Sequence, residues 1–339
     1  MPDLVTSVEG RVGRIRLNRP KALHALTTDM CLAITAALDR FEDDDDVEVV
    51  MFDHAEGRGF CAGGDIRMLA ESGARDGVDA RAFFMAEYRM NHRLFDYAKP
   101  TVAVMDGITM GGGVGIALPC ETRVATGNTK FAMPETGIGL FPDVGAGWYL
   151  SRLPGQVGKY LALTGARLDA ADSVALGLAT HFVDAATVDA LVATLIDEGG
   201  WALERLADTA PPARILGDLD TIDRLFAGET LDAIFAALAD DGGEWAAAQL
   251  ATLRTKSPLS MTVALRQLRE GAAMPDFAAE MRQEYAIGAR MVATPDFIEG
   301  VRALIVDKDN RPAWVPEVDP AQVDAIFAPL PPDQAWTPQ

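Results

Sequence analysis

Three cysteines, four histidines and no long apolar run exclude several classes of protein at once. Cys31, Cys61 and Cys120 form an odd, sparse set without a CxxC pair, so no disulfide framework or thiol-based metal site is expected, and a reducing cytoplasm suits them. His24, His54, His92 and His181 are scattered without metal-ligand spacing, and no structural metal is expected. No stretch approaches the ~20 apolar residues that span a bilayer. The opening MPDLVTSVEGRVGR lacks a charged segment followed by an apolar one, so no secretory signal is read and the expected location is cytoplasmic. Cations are also short: 30 Lys and Arg against 50 Asp and Glu leave a formal net charge of −20, which argues against nucleic acid and anionic membranes as partners. Part of that charge is the run Glu42–Asp46, read as a solvated loop. Arg14, Arg16, Arg19, Lys21, Arg58 and Arg67 nevertheless concentrate in the first 70 residues, where they could meet an anionic ligand.

What is present fits an α/β (α+β) enzyme. A chain of 339 residues can bury a full core. Val12, Ile15 and Leu17 suggest a strand ending at Asn18-Arg19-Pro20, and Met30, Ile34, Leu38 and Phe41 recur at helical spacing behind Thr27 or Thr28 as the cap. Further strands are expected at 47–52, 101–105, 121–125 and 130–133, with a helix over 81–97. Strand, glycine-rich turn and helix thus recur at Val47 and Thr101. Past about residue 185 the pattern is helical, with apolar faces at Leu231/Ile234/Phe235/Leu238, Met261/Ala264/Leu265/Leu268 and Phe277/Met281/Tyr285. The division expected is 1–185 for the core with the active site and 186–339 for a helical region. Its tail from Arg311 holds seven of the 19 prolines and reads as irregular.

Three glycine-rich segments carry the candidate chemistry: CAGGD (Cys61–Asp65), MGGGVG (Met110–Gly115) and FAMPETGIGLFPDVGAG (Phe131–Gly147). The first two follow strands and could turn backbone N–H groups toward an anion or a polarised carbonyl. Neither completes GxGxxG or a Walker motif, and the chain has no GxSxG elbow. The third segment sets Glu135 and Asp143 eight residues apart in a run almost free of other charge. Acids held in a low-dielectric pocket shift toward neutral pKa, where they can give or take protons. Local sequence leaves two plainer readings open: an exposed turn for Glu135, and a helix N-cap for Asp143.

The segments GRGFCAGGDI, KPTVAVMDGITMGGGVGIAL and FAMPETGIGLFPDVGAGWYLSRL resemble the enoyl-CoA hydratase/isomerase (crotonase) superfamily. The match extends to its 3-hydroxyisobutyryl-CoA hydrolase branch through ITMGGGVG, AMPETGIGLFPDVG, Ala162–Leu168, Ala179–Asp184, SPLSMTVALRQL and EGVRALIVDKDNRPAW. The resemblance runs from about residue 4 to about residue 318.

It implies a spiral of repeated ββα units with a C-terminal helical region, and an acyl-CoA substrate. CoA belongs to that substrate, so no separate cofactor is implied; a homo-oligomer is common in the superfamily. The oxyanion-binding N–H groups fall on Gly64 and Gly112. The catalytic carboxylates fall on Glu135, as nucleophile or base for water, and on Asp143, assisting proton transfer to the departing thiolate. Glu87 is a further substrate-contacting acid, although by itself it reads as a helix-surface charge; Phe83, Glu87 and Met90 sharing one face favours burial. Ala62, Asp65, Ile66 and Arg67 are expected beside the CoA moiety. Two departures stand out. Hydratases carry a second glutamate where this chain has Gly115, so the water-adding pair cannot form there. An enoyl-CoA isomerase or hydratase on the same fold stays open as the alternative reading, since isomerases can run with one carboxylate. Gly115→Glu is expected to weaken hydrolysis and to confer at most a trace of hydration, with Gly115→Glu and Asp143→Gly together doing better. His24 replaces a usual asparagine and is expected to affect only turn geometry.

Overall fold

The computed structural model describes residues 2–199, 205 and 207–338. Strands β1 (Leu4–Glu9) and β2 (Val12–Leu17) form an antiparallel hairpin. β3 (Val49–His54), β5 (Thr101–Met105), β7 (Thr122–Thr126) and β9 (His181–Val183) then add in parallel, giving the order β1-β2-β3-β5-β7-β9. β5 is buried along its whole length, as a parallel strand covered on both faces requires. Three short strands, β4 (Gly59–Cys61), β6 (Ile108–Met110) and β8 (Lys130–Ala132), form a second parallel sheet. Each follows a strand of the large sheet, so the ββα unit recurs three times, the third at β7–β8.

Sequence patterning placed the larger elements well. α1 is Thr28–Glu42, with the Thr27 side chain accepting from Met30 N–H at 3.2 Å and Met30, Ile34, Leu38 and Phe41 buried beneath it. β4 and β6 correct the reading of their segments as plain loops; three residues are too few to show a period of two. The strand expected from Val47 begins at Val49, and the helix expected over 81–97 is α3, Val78–Phe95. The remaining helices of this half are α2 (Ile66–Gly73), α4 (Gly112–Ala117), α5 (Ala146–Leu150), α6 (Val157–Thr164) and α7 (Ala170–Ala175).

The three apolar faces beyond residue 185 fall on helices Leu231–Asp241, Pro258–Gly271 and Phe277–Met291. The 258–271 helix packs on α5 and α6, and the 277–291 helix packs on α3 and α5. One buried apolar cluster runs from Ile15 to Trp336 through both halves. The proline-rich tail is more ordered than its composition suggested. It forms a helix at Pro320–Phe327, and the side chain of Trp336 is completely buried.

Candidate active site

The two glycine loops run side by side. Leu26 pairs with the first: its N–H donates to Gly63 O at 2.8 Å, and its O accepts from Asp65 N–H at 3.0 Å. That alternation turns Gly64 N–H the other way, and it donates to no protein acceptor among the described residues. Gly112 is the first residue of α4, where an N–H has no intrahelical acceptor. A Cβ on Gly111 would lie 3.2 Å from Gly63 Cα, and one on Gly112 would lie 2.5 Å from Glu87 Oε1. Both approaches therefore need glycine.

Both loops border a cavity of about 120 Å³ lined also by Glu87, Glu135 and Asp143. Glu135 opens a single 3-10 turn, Glu135–Gly137, whose carbonyl accepts from Ile138 and Leu140 N–H at 2.9 and 3.0 Å. The next residue is pinned from behind, with Thr136 O accepting from Ser257 N–H at 3.0 Å and Thr136 Oγ1 donating to Leu163 O at 3.1 Å. Glu135 is thus no exposed turn acid; it is 5% exposed. Nor does the Asp143 side chain cap a helix. α5 starts behind Gly145, and Asp143 contributes only its carbonyl, which accepts from Ala146 N–H at 3.0 Å. Its carboxylate instead accepts from Tyr88 Oη at 2.8 Å. Val144 follows at φ 55°, a conformation that β-branched residues rarely adopt and one that aims Asp143 into the fold.

Glu87 is also buried, on the α3 face expected for it. Sequence reasoning missed two of its neighbours on that helix, Tyr88 and Asn91. The signal was available as the helical series Phe84, Glu87, Tyr88, Asn91, which places two polar groups beside a candidate acid. Asn91 Nδ2 donates to Gly115 O at 2.9 Å. A Cβ on Gly115 would lie 2.6 Å from Val144 Cβ and 2.7 Å from Asn91 Nδ2. That crowding agrees with the failure expected of Gly115→Glu and weighs against the gain expected from adding Asp143→Gly, since Val144 and Asn91 rather than Asp143 occupy the space.

Of the four residues expected beside CoA, Ala62 and Ile66 line the cavity. Asp65 caps α2, accepting from Met68 N–H at 3.3 Å, and lies 3.7 Å from Arg19. Arg67 is exposed and donates to Ile305 O at 3.4 Å. Arg14 and Arg16 are committed elsewhere, both paired with Asp53 at 2.6 and 2.8 Å. His24 behaves as a turn lock, its Nδ1 accepting from Arg19 N–H and its Nε2 bonding Glu56 O, each at 2.9 Å.

Burial sets the electrostatics of the cavity. It pushes Glu87 well above the usual carboxylate range, helped by Asp143 and Glu135. Burial and then Asp143 push Glu135 the same way, partly opposed by Lys256. Asp143 rises through burial to about 6, with the Tyr88 hydrogen bond restraining it. Oε1 of Glu87 and Oε2 of Glu135 have no protein partner among the described residues. Three crowded acids cannot all ionise, so protons are shared between them near neutral pH. No group of three or more His, Cys, Asp or Glu suited to a metal occurs among the described residues.

Residues 12–327 match the enoyl-CoA hydratase/isomerase family. The chain is 42% identical to the mitochondrial 3-hydroxyisobutyryl-CoA hydrolase of Xenopus laevis, over 95% of this chain and 87% of that one. It is 39% identical to the protein of that name from Homo sapiens, over 93% and 84%. Among solved structures, a carnitinyl-CoA dehydratase from Mycobacterium thermoresistibile superposes with a TM-score of 0.95 at 39% identity, covering 98% of each chain. An enoyl-CoA hydratase from Rhodobacter sphaeroides gives 0.92 at 40% identity, covering 99% of this chain and 100% of that one. With a six-stranded and a three-stranded sheet built from a triple ββα repeat, and a family match over residues 12–327, the chain belongs to the enoyl-CoA hydratase/isomerase family.

Proposed function

We propose that this chain hydrolyses the thioester of a short 3-hydroxyacyl-CoA, with 3-hydroxyisobutyryl-CoA of valine breakdown as its substrate. The observation that carries this reading is the closed position at Gly115 opposite a retained Glu135/Asp143 pair. Relatives of similar identity carry both hydrolase and hydratase names, and here a second hydratase acid has no space. The thioester oxygen accepts from Gly64 and Gly112 N–H, an oxyanion hole in which loss of one donor costs ~10²–10³ in rate. Attack starts from the protonation state with the proton on Asp143. Glu135, whose Oε2 is unpartnered, then acts as base for water, taking its proton as the oxygen adds to the carbonyl, or as nucleophile. The nucleophilic route gives, on loss of the thiolate, an anhydride that water opens to the acid while the Asp143 carboxylate takes the proton. As the tetrahedral centre collapses, the C–S bond breaks and Asp143, oriented by Tyr88, gives its proton to the CoA thiolate. Glu87, protonated by its burial, takes the substrate's hydroxyl through its free Oε1. CoA lies along Ala62–Ile66, with the Arg67 side chain turned to Ile305 O.

A cytoplasmic location is proposed on the three free, buried thiols; the vertebrate relatives are named as mitochondrial. Among the described residues no helix is long and apolar enough to cross a membrane.

The test is a panel of acyl-CoAs followed for free thiol and for enoyl absorbance. Thiol release from 3-hydroxyisobutyryl-CoA or 3-hydroxypropionyl-CoA is expected. Efficient hydration of crotonyl-CoA without thiol release would instead establish an enoyl-CoA hydratase.

A further inference from the structure

Behind the turn that carries Asp143 lies a second pair of acids that the proposed chemistry does not use. Glu280 and Glu284 stand one turn apart on the 277–291 helix, both completely buried, and neither lines the cavity. Glu284 Oε2 accepts from Gly145 N–H at 2.7 Å. Its Oε1 accepts from Gly147 N–H at 3.3 Å and from Gln267 Nε2 at 2.9 Å. The same Gln267 nitrogen donates to Pro142 O at 2.8 Å. One carboxyl and one amide, from two separate helices, therefore tie down the chain on both sides of Asp143. Between those anchors sits Val144 at φ 55°. Such strain persists only where the surroundings over-determine the backbone, and this pair of anchors supplies that constraint.

We propose that Glu284, seconded by Gln267, is a positioning residue that holds the left-handed Val144 turn closed, so that Asp143 meets Tyr88 and the cavity in a single orientation. The inference rests on the role given to Asp143 above. Three N–H donors converge on the two oxygens of Glu284, and a carboxylate can accept from all of them; an amide would turn its own donors toward at least one. The groups facing Glu284 come from every neighbouring element: Glu280 on its own helix, Asp143 and Tyr149 on either side of the turn, Tyr88 on α3 and Gln267 on the 258–271 helix, with Arg152 beyond Glu280. Burial, with Glu280 and Asp143 close by, raises Glu284 well above the usual carboxylate range.

The test is Glu284→Gln, read in two ways. Turnover is measured by thiol release, and the Asp143 midpoint by ¹³C-carboxyl NMR, with the resonance assigned through its loss in Asp143→Asn. In a folded Glu284→Gln variant, kcat should fall about 10- to 100-fold while KM stays within about threefold, the pattern of misplacement rather than lost binding. The Asp143 midpoint should drop from about 6, because a loosened turn admits water to a carboxyl whose pKa is raised by burial. An unchanged kcat and midpoint would overturn the proposal. If Glu284→Gln does not fold, Gln267→Met removes the tie to Pro142 and one donor to Glu284, and an unshifted midpoint there overturns it as well. Should the wild-type protein release no thiol from any acyl-CoA, the functional reading fails separately and the NMR midpoint alone decides this one.

Discussion

Two groups of buried acids meet at the Asp143 turn of this chain, with opposite relations to open space. Glu87, Glu135 and Asp143 surround a cavity, and two of the three keep an oxygen without a protein partner. Glu280 and Glu284 are sealed behind the same wall, and Glu284 spends both oxygens on the backbone of its neighbours. Burial raises the pKa in both groups. A perturbed acid is therefore no guide to chemistry without its geometry. An unpartnered oxygen does not separate the groups either, since both oxygens of Glu280 also lack a protein partner among the described residues. What separates them is the cavity and the free N–H groups beside Glu87, Glu135 and Asp143, against the backbone of the Asp143 turn beside Glu284.

The sharpest way to break that contrast is Glu135→Gln, which keeps shape but removes base and nucleophile. Turnover should become undetectable, a loss of several kcal/mol in transition-state stabilisation, while CoA affinity measured by calorimetry is retained. Wild-type kcat would demote Glu135 to a support like Glu284.

Gly115→Glu comes next. Its side chain has to displace Val144 and Asn91, and overpacking of a tight core typically costs about 1–3 kcal/mol. A lower melting temperature, weakened hydrolysis and no hydration are expected, alone or with Asp143→Gly. Robust hydration in either variant would show that the space at Gly115 opens more easily than its neighbours suggest.

The sealed pair makes a pH prediction. Glu280 has its folded pKa raised to about 7 from 4.5, so the folded state binds more protons than the unfolded one between those values. Stability then falls as pH rises through that window and stays lower above it. Glu280→Gln removes that contribution, so the drop in melting temperature between pH 5 and pH 8 should shrink by a few degrees in calorimetric scans. An unaltered drop would mean that folded Glu280 binds no more protons than the unfolded chain in this window, so that its pKa is not raised by burial.

The smallest effect is reserved for Arg67→Ala. Arg67 is exposed, outside the cavity and in contact with Ile305 O, so kcat should stay at the wild-type value and KM should move by less than about threefold. A tenfold rise in KM would instead place CoA's phosphates on this side chain.

Much of the architecture was legible because it is written in local periodicity. α1, β5 and the later amphipathic helices follow from the spacing of their apolar residues, and Thr27 capped where a threonine before such a face should. The short strands β4 and β6 were not legible, since pairing with each other and not their own pattern makes them strands. Asp143 shows the same limit at the site. Its neighbours permit a helix cap, and the competing partner, Tyr88, is 55 residues away in sequence.

By itself the amino-acid order determined the helical and strand periods, the poverty in cations and thiols, the three glycine segments and the identity of the acids they bring. Those properties depend on residues a few positions apart. The tertiary structure alone decided that Gly64 and Gly112 turn free N–H groups along one cavity, that Val144 and Asn91 fill the space beside Gly115, and that Glu284 reaches the Asp143 turn from 139 residues further along. Each of these depends on which distant surfaces share a boundary once water is excluded, and burial then sets the charge on every acid there.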